Sequence, residues 1–147
     1  MRHKSDSYVQ SSAEAEIARR LSKRERISLA PAKLTLRNGA TVNIDGFDPK
    51  AHVLCEIYAH VGKTRGSQPG KIAKDILKLV AAEKSLGRKY RKIICFADKL
   101  AAACVLGKSW LAEVARALEV EVIPIELPPK TTASIRVAQE LQAMVNR

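Results

Sequence analysis

The chain has 147 residues, enough for one compact domain, and its 46% hydrophobic content can form a continuous core without disulfides or a structural metal. Its formal net charge is +11, from 26 Lys and Arg against 15 Asp and Glu, which disfavours an inert neutral surface and favours an anionic partner. The N-terminus lacks an apolar stretch typical of a signal peptide, and no window approaches about 18 uninterrupted apolar residues. We therefore expect a cytoplasmic protein that does not bind membranes.

The positive charge is concentrated between residues 63 and 92. This window holds ten basic side chains against only Asp75 and Glu83, so it carries +8 of the total charge of +11. Clustered cations bind a phosphate backbone by releasing its counterions, whatever the base sequence. A lysine-rich, hydrated surface that keeps the protein soluble is the alternative explanation.

The three cysteines are predicted to be small buried hydrophobic residues. Cys55, Cys95 and Cys104 lie in apolar runs, without the CxxC spacing of a zinc site and without a nearby histidine. This pattern argues against both a zinc site and a disulfide framework.

The first half of the chain predicts one helix and three strands. The first ten residues are polar and are expected to be flexible, with a single domain over residues 11–147. The predicted elements are a helix from Ser11–Ser12 to about Arg24 and strands over 33–37, 41–47 and 52–61. Asn38-Gly39 predicts a tight hairpin turn between the first two strands, and Asp48-Pro49 predicts the turn before the third.

The second half predicts alternating helices and strands. The predicted elements are a helix from 67 or 69 to 86, a strand over 90–97, a helix over 98–118, a strand over 120–127 and a helix over 131–146. Gly87 ends the first of these helices. Asp98 caps the second, which breaks near Gly107 and resumes with Ser109 as a new cap. The coarse order is therefore α, β, β, β, α, β, followed by α, β, α.

Two acidic residues interrupt neighbouring predicted strands. Asp45 falls near the end of the second strand and Glu56 in the middle of the third. A lone carboxylate inside a sheet is costly to bury, so Glu56 needs a partner, a proton or a metal. An antiparallel strand pair can bring both acids together, with the carbonyl of Ile57 as a third ligand. Such oxygen donors suit Mg²⁺ or Mn²⁺, which can polarise a phosphate and activate water while a nearby lysine stabilises the developing charge.

The segments Val42-Asn43-Ile44-Asp45 and Glu56-Ile57-Tyr58, with the order of the first six elements, resemble the PD-(D/E)XK, or restriction-endonuclease-like, nuclease superfamily over residues 11–97. The resemblance implies an α/β fold with an αβββαβ core, a central mixed sheet flanked by helices and a C-terminal helix-strand-helix extension. It implies a hydrolase that cuts DNA with Mg²⁺, with Asp45 and Glu56 both as metal ligands and as catalytic residues. An inactive descendant, serving as a DNA-binding or assembly subunit, is the alternative. A homodimer is also expected, because small members are often dimers.

The motif departs from the superfamily pattern at two positions. Tyr58 stands where the motif has its lysine, and Ile44 replaces the proline before Asp45. Because members of the superfamily relocate catalytic residues to the following helix, Lys71 is the expected catalytic lysine. Lys74 and Lys78 rank behind it because they lie farther along that helix.

Several further residues are candidates for accessory or binding roles. Glu14 matches the first-helix acid of some members, and His60 has the same strand parity as Glu56 and could contact a phosphate. Gln68, Lys71, Asp75 and Lys78 recur on one polar helix stripe, and with Glu56-Ile57-Tyr58-Ala59 and Gly62 they resemble a group of small uncharacterised bacterial proteins. The predicted nucleic-acid-binding residues are Lys63, Arg65, Lys74 and Lys78. Each of these features also has a structural alternative. The helix stripe could be an exposed face with a Lys71/Asp75 pair, His60 a hydrogen-bonded histidine at the end of a strand, and Gln68 an exposed glutamine.

Residues 106–109 are partly similar to a phosphate-binding motif. Leu106-Gly107-Lys108-Ser109 is similar to the end of a phosphate-binding P-loop, but Ala102 stands where the first glycine belongs and the preceding segment is predicted to be helical. We interpret it as a helix break and a cap. Trp110, which follows, is predicted to lie in the core. With only 4% aromatic residues, recognition of single strands by base stacking is not expected.

Overall fold

Five strands form one mixed sheet with helices on both faces. The structure, a computed structural model, describes residues 4–145, and side chains from Tyr8 onward. The helices are α1 (Lys4–Glu25), α2 (Gln68–Leu86), α3 (Lys99–Ala102), α4 (Trp110–Ala117) and α5 (Pro129–Val145), with a 3₁₀ turn at Ala103–Val105. The strands are β1 (Ala30–Thr35), β2 (Thr41–Asp48), β3 (Val53–Tyr58), β4 (Arg91–Phe96) and β5 (Val120–Pro124). The predicted α/β class, with a mixed sheet flanked by helices, is confirmed.

The strands lie in chain order across the sheet, β1-β2-β3-β4-β5. β1 with β2 and β2 with β3 are antiparallel, whereas β3 with β4 and β4 with β5 are parallel. Parallel neighbours need crossover connections, and these are right-handed, so α2 and α4 lie on the same face of the sheet. Their apolar residues pack with Leu54 and Ile94, while α1 packs on the opposite face against Cys55 and Ile93.

The central strands are apolar on both faces because helices cover both. All six residues of β3 are buried, as are five of the six in β4. Cys55 and Cys95 are fully buried free thiols, as predicted, and Cys104 is half-buried. A charged residue in β3 therefore has no route to bulk water except through a gap in the sheet.

The predicted hairpin turn, the end of α2 and the caps of α3 and α4 are confirmed. The amide of Leu36 donates to the carbonyl of Ala40 at 2.7 Å, which closes the hairpin at Asn38-Gly39. Gly87 ends α2 with a left-handed φ of 74°. The side chains of Asp98 and Ser109 accept hydrogen bonds from the first turns of α3 and α4.

The prediction that Ser11 and Ser12 cap the first helix is wrong. α1 begins at Lys4 and passes through both serines, which lie on its exposed side. The buried stripe of Ala13 and Ile17 continues one turn earlier, at Val9, which packs against the same core. Burial of that stripe outweighs the capping preference of serine. Residues 1–3 of the predicted flexible segment lie outside the described residues.

A β-bulge in β2 shapes the region around Asp45. In the pairing of β1 with β2, Ala30 lies opposite Phe47 and Ala32 opposite Ile44, so β2 advances three residues while β1 advances two. Pro31 lies opposite the bulge, and having no N–H it could not have donated to a regular ladder. A side chain at Gly46 would approach Leu29 to 3.2 Å, so the bulge also depends on a residue without a Cβ.

Within residues 4–145, none of the helices combines the length and apolar character that crossing a lipid bilayer requires.

Asp48 joins the end of β2 to the rest of the fold. Its buried carboxylate accepts hydrogen bonds from the amides of Ser28 at 2.7 Å and of Lys50 and Ala51 at 3.0 Å. These bonds, that from Ala51 first, lower the pKa of Asp48 below its usual 3.8. The folded state therefore prefers the ionised form.

We expect Asp48→Ala to lower the free energy of unfolding by about 2–3 kcal/mol, since three backbone donors lose a charged acceptor. Asp48→Asn should cost less at neutral pH. The difference in free energy of unfolding between wild type and Asp48→Asn should shrink as the pH falls below 3.8. Protonation of Asp48 removes the charge-assisted hydrogen bonds from the wild type there, and the asparagine of the variant has no charge to lose. Urea denaturation measures these values, with exposed Glu140→Ala as the control, expected within about 0.5 kcal/mol of wild type. A deficit that does not change with pH would contradict this role.

Candidate functional site

Strands β2 and β3 separate where the two acidic residues lie. Their backbone pairing ends at Gly46 opposite Cys55. Beyond that pair, the amide of Ile57 donates to Oδ2 of Asp45 at 2.8 Å, and the amide of Asp45 donates to Oε1 of Glu56 at 3.3 Å. Each carboxylate thus replaces a backbone acceptor across the gap. The structure brings together the two acids that the sequence singled out.

Glu56 is a buried acid in a negatively charged environment. Its side chain is 3% exposed, and its Oε2 lies 3.0 Å from Nζ of Lys78. Burial raises the pKa of Glu56 to about 8, the charge of Asp45 adds to the increase, and Lys78 opposes it. Asp75 lies on the other side of Lys78, 3.9 Å from Nζ, and burial raises its pKa as well. Asp45 and Asp75 therefore both favour the protonated form of Glu56, and Lys78 opposes them.

Lys78, and not Lys71, is the lysine beside Glu56, which corrects the expected order of the candidates. α2 runs antiparallel to β3, so residues farther along the helix lie beside earlier residues of the strand. Lys71, about two turns earlier, lies instead with its Nζ 5.9 Å from the centre of the Tyr58 ring. Sequence spacing alone does not contain the helix direction, and it favoured the lysine closer to Glu56 in the chain.

Tyr58 occupies the motif's lysine position as a buried aromatic residue. Its ring lies 5.1 Å from that of His60 and 5.4 Å from that of Phe96, measured between centroids. Within the described part of the chain, its hydroxyl has no hydrogen-bond partner. Burial, with smaller contributions from Cys104 and Asp75, raises the pKa of Tyr58 to about 12. Tyr58 is therefore neutral at physiological pH and supplies no charge to the site.

Three of the predicted accessory residues, Glu14, His60 and Gln68, lie in three different surroundings. Glu14 accepts a hydrogen bond from Gln10 at 3.2 Å and lines a cleft of about 820 Å³ together with Asp45. His60 lines a separate small cavity between α1 and α5. Gln68 accepts from the amide of Arg65 at 2.9 Å, so its side-chain oxygen supports the loop before α2.

The cleft beside Asp45 contains cations that the sequence reasoning missed. Arg19 of α1, which pairs with Glu16, and Lys33 of β1 line it together with Asp45. They lie outside the charged window of residues 63–92, and only the packing of α1 against the sheet brings them near the acids. The predicted binding residues Lys63, Arg65 and Lys74 are exposed on the loop before α2 and on α2 itself.

The donor atoms in the gap fit a hard divalent cation. In an extended strand the N–H and C=O of one residue point the same way, so the carbonyl of Ile57 faces the gap like its amide. Two carboxylates and one carbonyl suit Mg²⁺, which keeps several of its waters. Among the described residues, no three or more His, Cys, Asp and Glu side chains are grouped so that they could hold a metal ion, so a site here would rest on two carboxylates completed by a backbone carbonyl and water.

Comparisons of the chain with protein-family models, with curated proteins and with solved structures gave no match.

The raised pKa of Glu56 predicts an unusual pH dependence of stability. Folded Glu56 holds its proton up to a pKa of about 8, whereas the unfolded chain releases it near 4.5. The wild type should therefore lose stability as the pH rises from 4.5 to 8.

Glu56→Gln lacks this proton, so its stability relative to wild type should increase with pH, by at most about 1.4 kcal/mol per unit. Urea denaturation at pH values between about 5 and 8, in EDTA, measures the difference. Exposed Glu140→Gln should parallel the wild type throughout. Parallel curves for Glu56→Gln would contradict the raised pKa.

Proposed function

We propose that the protein is a metal-dependent nuclease of the PD-(D/E)XK type, which hydrolyses phosphodiester bonds in DNA with Mg²⁺ or Mn²⁺. The observation that carries this proposal is the position of Glu56, whose buried carboxylate lies between Asp45 and Lys78 at the gap in the sheet. Two further features support it: the element order αβββαβ, and acids on its second and third strands.

The proposed metal ligands are Asp45, Glu56 and the carbonyl of Ile57. When bound, the metal would polarise the phosphate and make a bound water a better nucleophile at neutral pH. A divalent cation would also offset the mutual repulsion of the acids, which favours binding there. These ligands come from two sheet strands, so their positions depend on a rigid part of the fold.

Lys78 is the residue that we propose to act on the reacting groups. Its ammonium lies within reach of Glu56 and Asp75, and these acids fix its position. From there it can orient an attacking water and stabilise the negative charge that develops on the phosphate. Tyr58 cannot take this role, because it stays neutral.

Binding of the DNA backbone is assigned to the exposed cations around the site. Lys63 and Arg65 precede α2, and Lys71 and Lys74 lie in its first two turns. Arg19 and Lys33 line the cleft that also contains Asp45. Contacts of this kind fix the position of a duplex without reading its sequence.

One observation favours a second function, a nuclease fold that binds DNA without cutting it. Lys78 lies 3.0 Å from Glu56 and favours its ionised form, so the protein has its own cation where a catalytic protein would need a metal. A DNA-binding or assembly subunit would keep the basic surface and replace metal binding by this ion pair.

The two lysines of α2 distinguish these possibilities. Lys78→Ala should lower Mg²⁺-dependent nicking of supercoiled DNA by at least about 100-fold at saturating substrate, because it removes charge stabilisation at the reacting phosphate. Lys71→Ala should weaken DNA binding and raise KM while leaving kcat within a few-fold. Exposed Lys84→Ala, from the last turn of α2, makes the same change in charge and serves as the control.

The opposite pattern, loss of nicking in Lys71→Ala but not in Lys78→Ala, would assign the catalytic role to Lys71. Salt-sensitive DNA binding by a wild-type protein that never cuts would favour the second function.

Metal binding can be measured without any substrate. At a concentration about 100 times Kd, Mn²⁺ should stabilise the wild type by about 2.7 kcal/mol, seen as a rise in Tm. Asp45→Asn and Glu56→Gln should abolish the rise. Glu140→Gln should retain it, and an equal rise in all variants would exclude binding at the gap.

A further inference from the structure

Trp110 is an exposed aromatic residue, and the prediction that it lies in the core is wrong. It is the only tryptophan of the chain and is 74% exposed. As the first residue of α4 it lies beside the buried stripe of Leu111, Ala112 and Ala115, which the helix turns toward the sheet. Leu100 and Leu106 nearby in sequence are also exposed, by 61% and 45%. Exposed apolar groups of this size commonly mark a binding surface.

The topology places Trp110 at the same edge of the sheet as the start of α2. Both helices connect parallel strands, so each begins at the edge where β3 and β4 end, here called the carboxyl edge. The hydroxyl of Ser109 donates to the carbonyl of Cys104 at 2.7 Å, and Cys104 packs against the core cluster that contains Tyr58. Tyr58 in turn lies beneath Lys71. Trp110 and the basic start of α2 therefore share one edge and one face.

The carboxyl edge is positively charged around this tryptophan. Its exposed cations, at or near the ends of β3, β4 and the starts of the helices, are Lys63, Arg65, Lys71, Lys99 and Lys108. Two acids on these segments are engaged within the protein: Asp98 accepts from the amides of Gly62 and Leu100, and Glu113 pairs with Arg116. The edge thus presents an indole among cations that outnumber the acids on the same segments.

We infer that Trp110 stacks on an unpaired base, so that the protein acts on DNA with single-stranded ends, gaps or branches. Cations bind the phosphates, and an aromatic ring among them can stack on any base whose face is free. Inside a continuous duplex no base face is free, so Trp110 has a partner only where pairing is interrupted. The inference rests on the proposed function and names its substrate class; Trp110 is a binding residue and touches no reacting atom.

The single tryptophan makes the test direct. The intact protein is titrated with an oligo(dT) of about 12 nucleotides in EDTA, where no cleavage occurs, and tryptophan emission is recorded. We expect saturable quenching. A blunt-ended hairpin duplex with the same number of phosphates should quench little and bind several-fold more weakly.

Variants separate stacking from charge. By fluorescence anisotropy of labelled oligo(dT), Trp110→Ala should bind about ten-fold more weakly, and Trp110→Phe only about two-fold, because it keeps an aromatic ring. Tyr8→Ala is the matched control: Tyr8 is also 74% exposed but belongs to α1, on the opposite face, and its loss should leave binding unchanged.

Several results would overturn the inference. These are unchanged emission while anisotropy reports oligo(dT) binding, equal affinity for the hairpin duplex, and no binding of either DNA. A larger emission shift with anionic phospholipid vesicles than with DNA, or a shift with protein concentration alone, would assign Trp110 to a lipid surface or to a second copy of the chain. Since binding is measured without metal, stacking by a protein that never cuts would refute the nuclease proposal and leave the stacking result intact.

Discussion

A carboxylate that is 3% exposed in the middle of a sheet is costly by several kcal/mol unless it is protonated or well paired. Glu56 meets this constraint in two ways at once, through the ammonium of Lys78 and through a pKa of about 8. Neither is complete, because the charges of Asp45 and Asp75 oppose the ionisation of Glu56 while Lys78 favours it. The surrounding structure therefore keeps an acid where a hydrophobic residue would be more stable, which is common at functional sites.

The gap that holds Glu56 depends on three small features of neighbouring strands. Pro31 cannot donate to the ladder, the bulge adds a residue to β2, and Gly46 has no Cβ to collide with Leu29. With regular pairing, the amides of Asp45 and Ile57 would bond to backbone carbonyls, and the acids would have no role in the sheet. Instead, Asp45, at the bulged part of β2, and Glu56, on β3, each accept an amide of the other strand with a side-chain oxygen.

Local signals in the sequence predicted the elements well, and non-local geometry was the part they could not supply. Gly87, Asp98 and Ser109 act within one turn of their own helices, so their roles follow from residue type. The pairing of Lys78 with Glu56 depends on the direction of α2 relative to β3, which the spacing between residues does not encode. The prediction that Trp110 lies in the core was wrong for a related reason. A hydrophobic residue one position away from the buried stripe of a helix faces solvent.

The two lysines of α2 lie in different environments. Lys78, past its middle, is half-buried between acids and is held in place, whereas Lys71, in its first turn, is exposed above Tyr58 at the carboxyl edge. An ion held by fixed acids is suited to stabilising charge at one atom, while an exposed one is suited to a mobile phosphate backbone. Tyr58, beneath Lys71, keeps a neutral, buried hydroxyl and so adds no charge to this end of the helix.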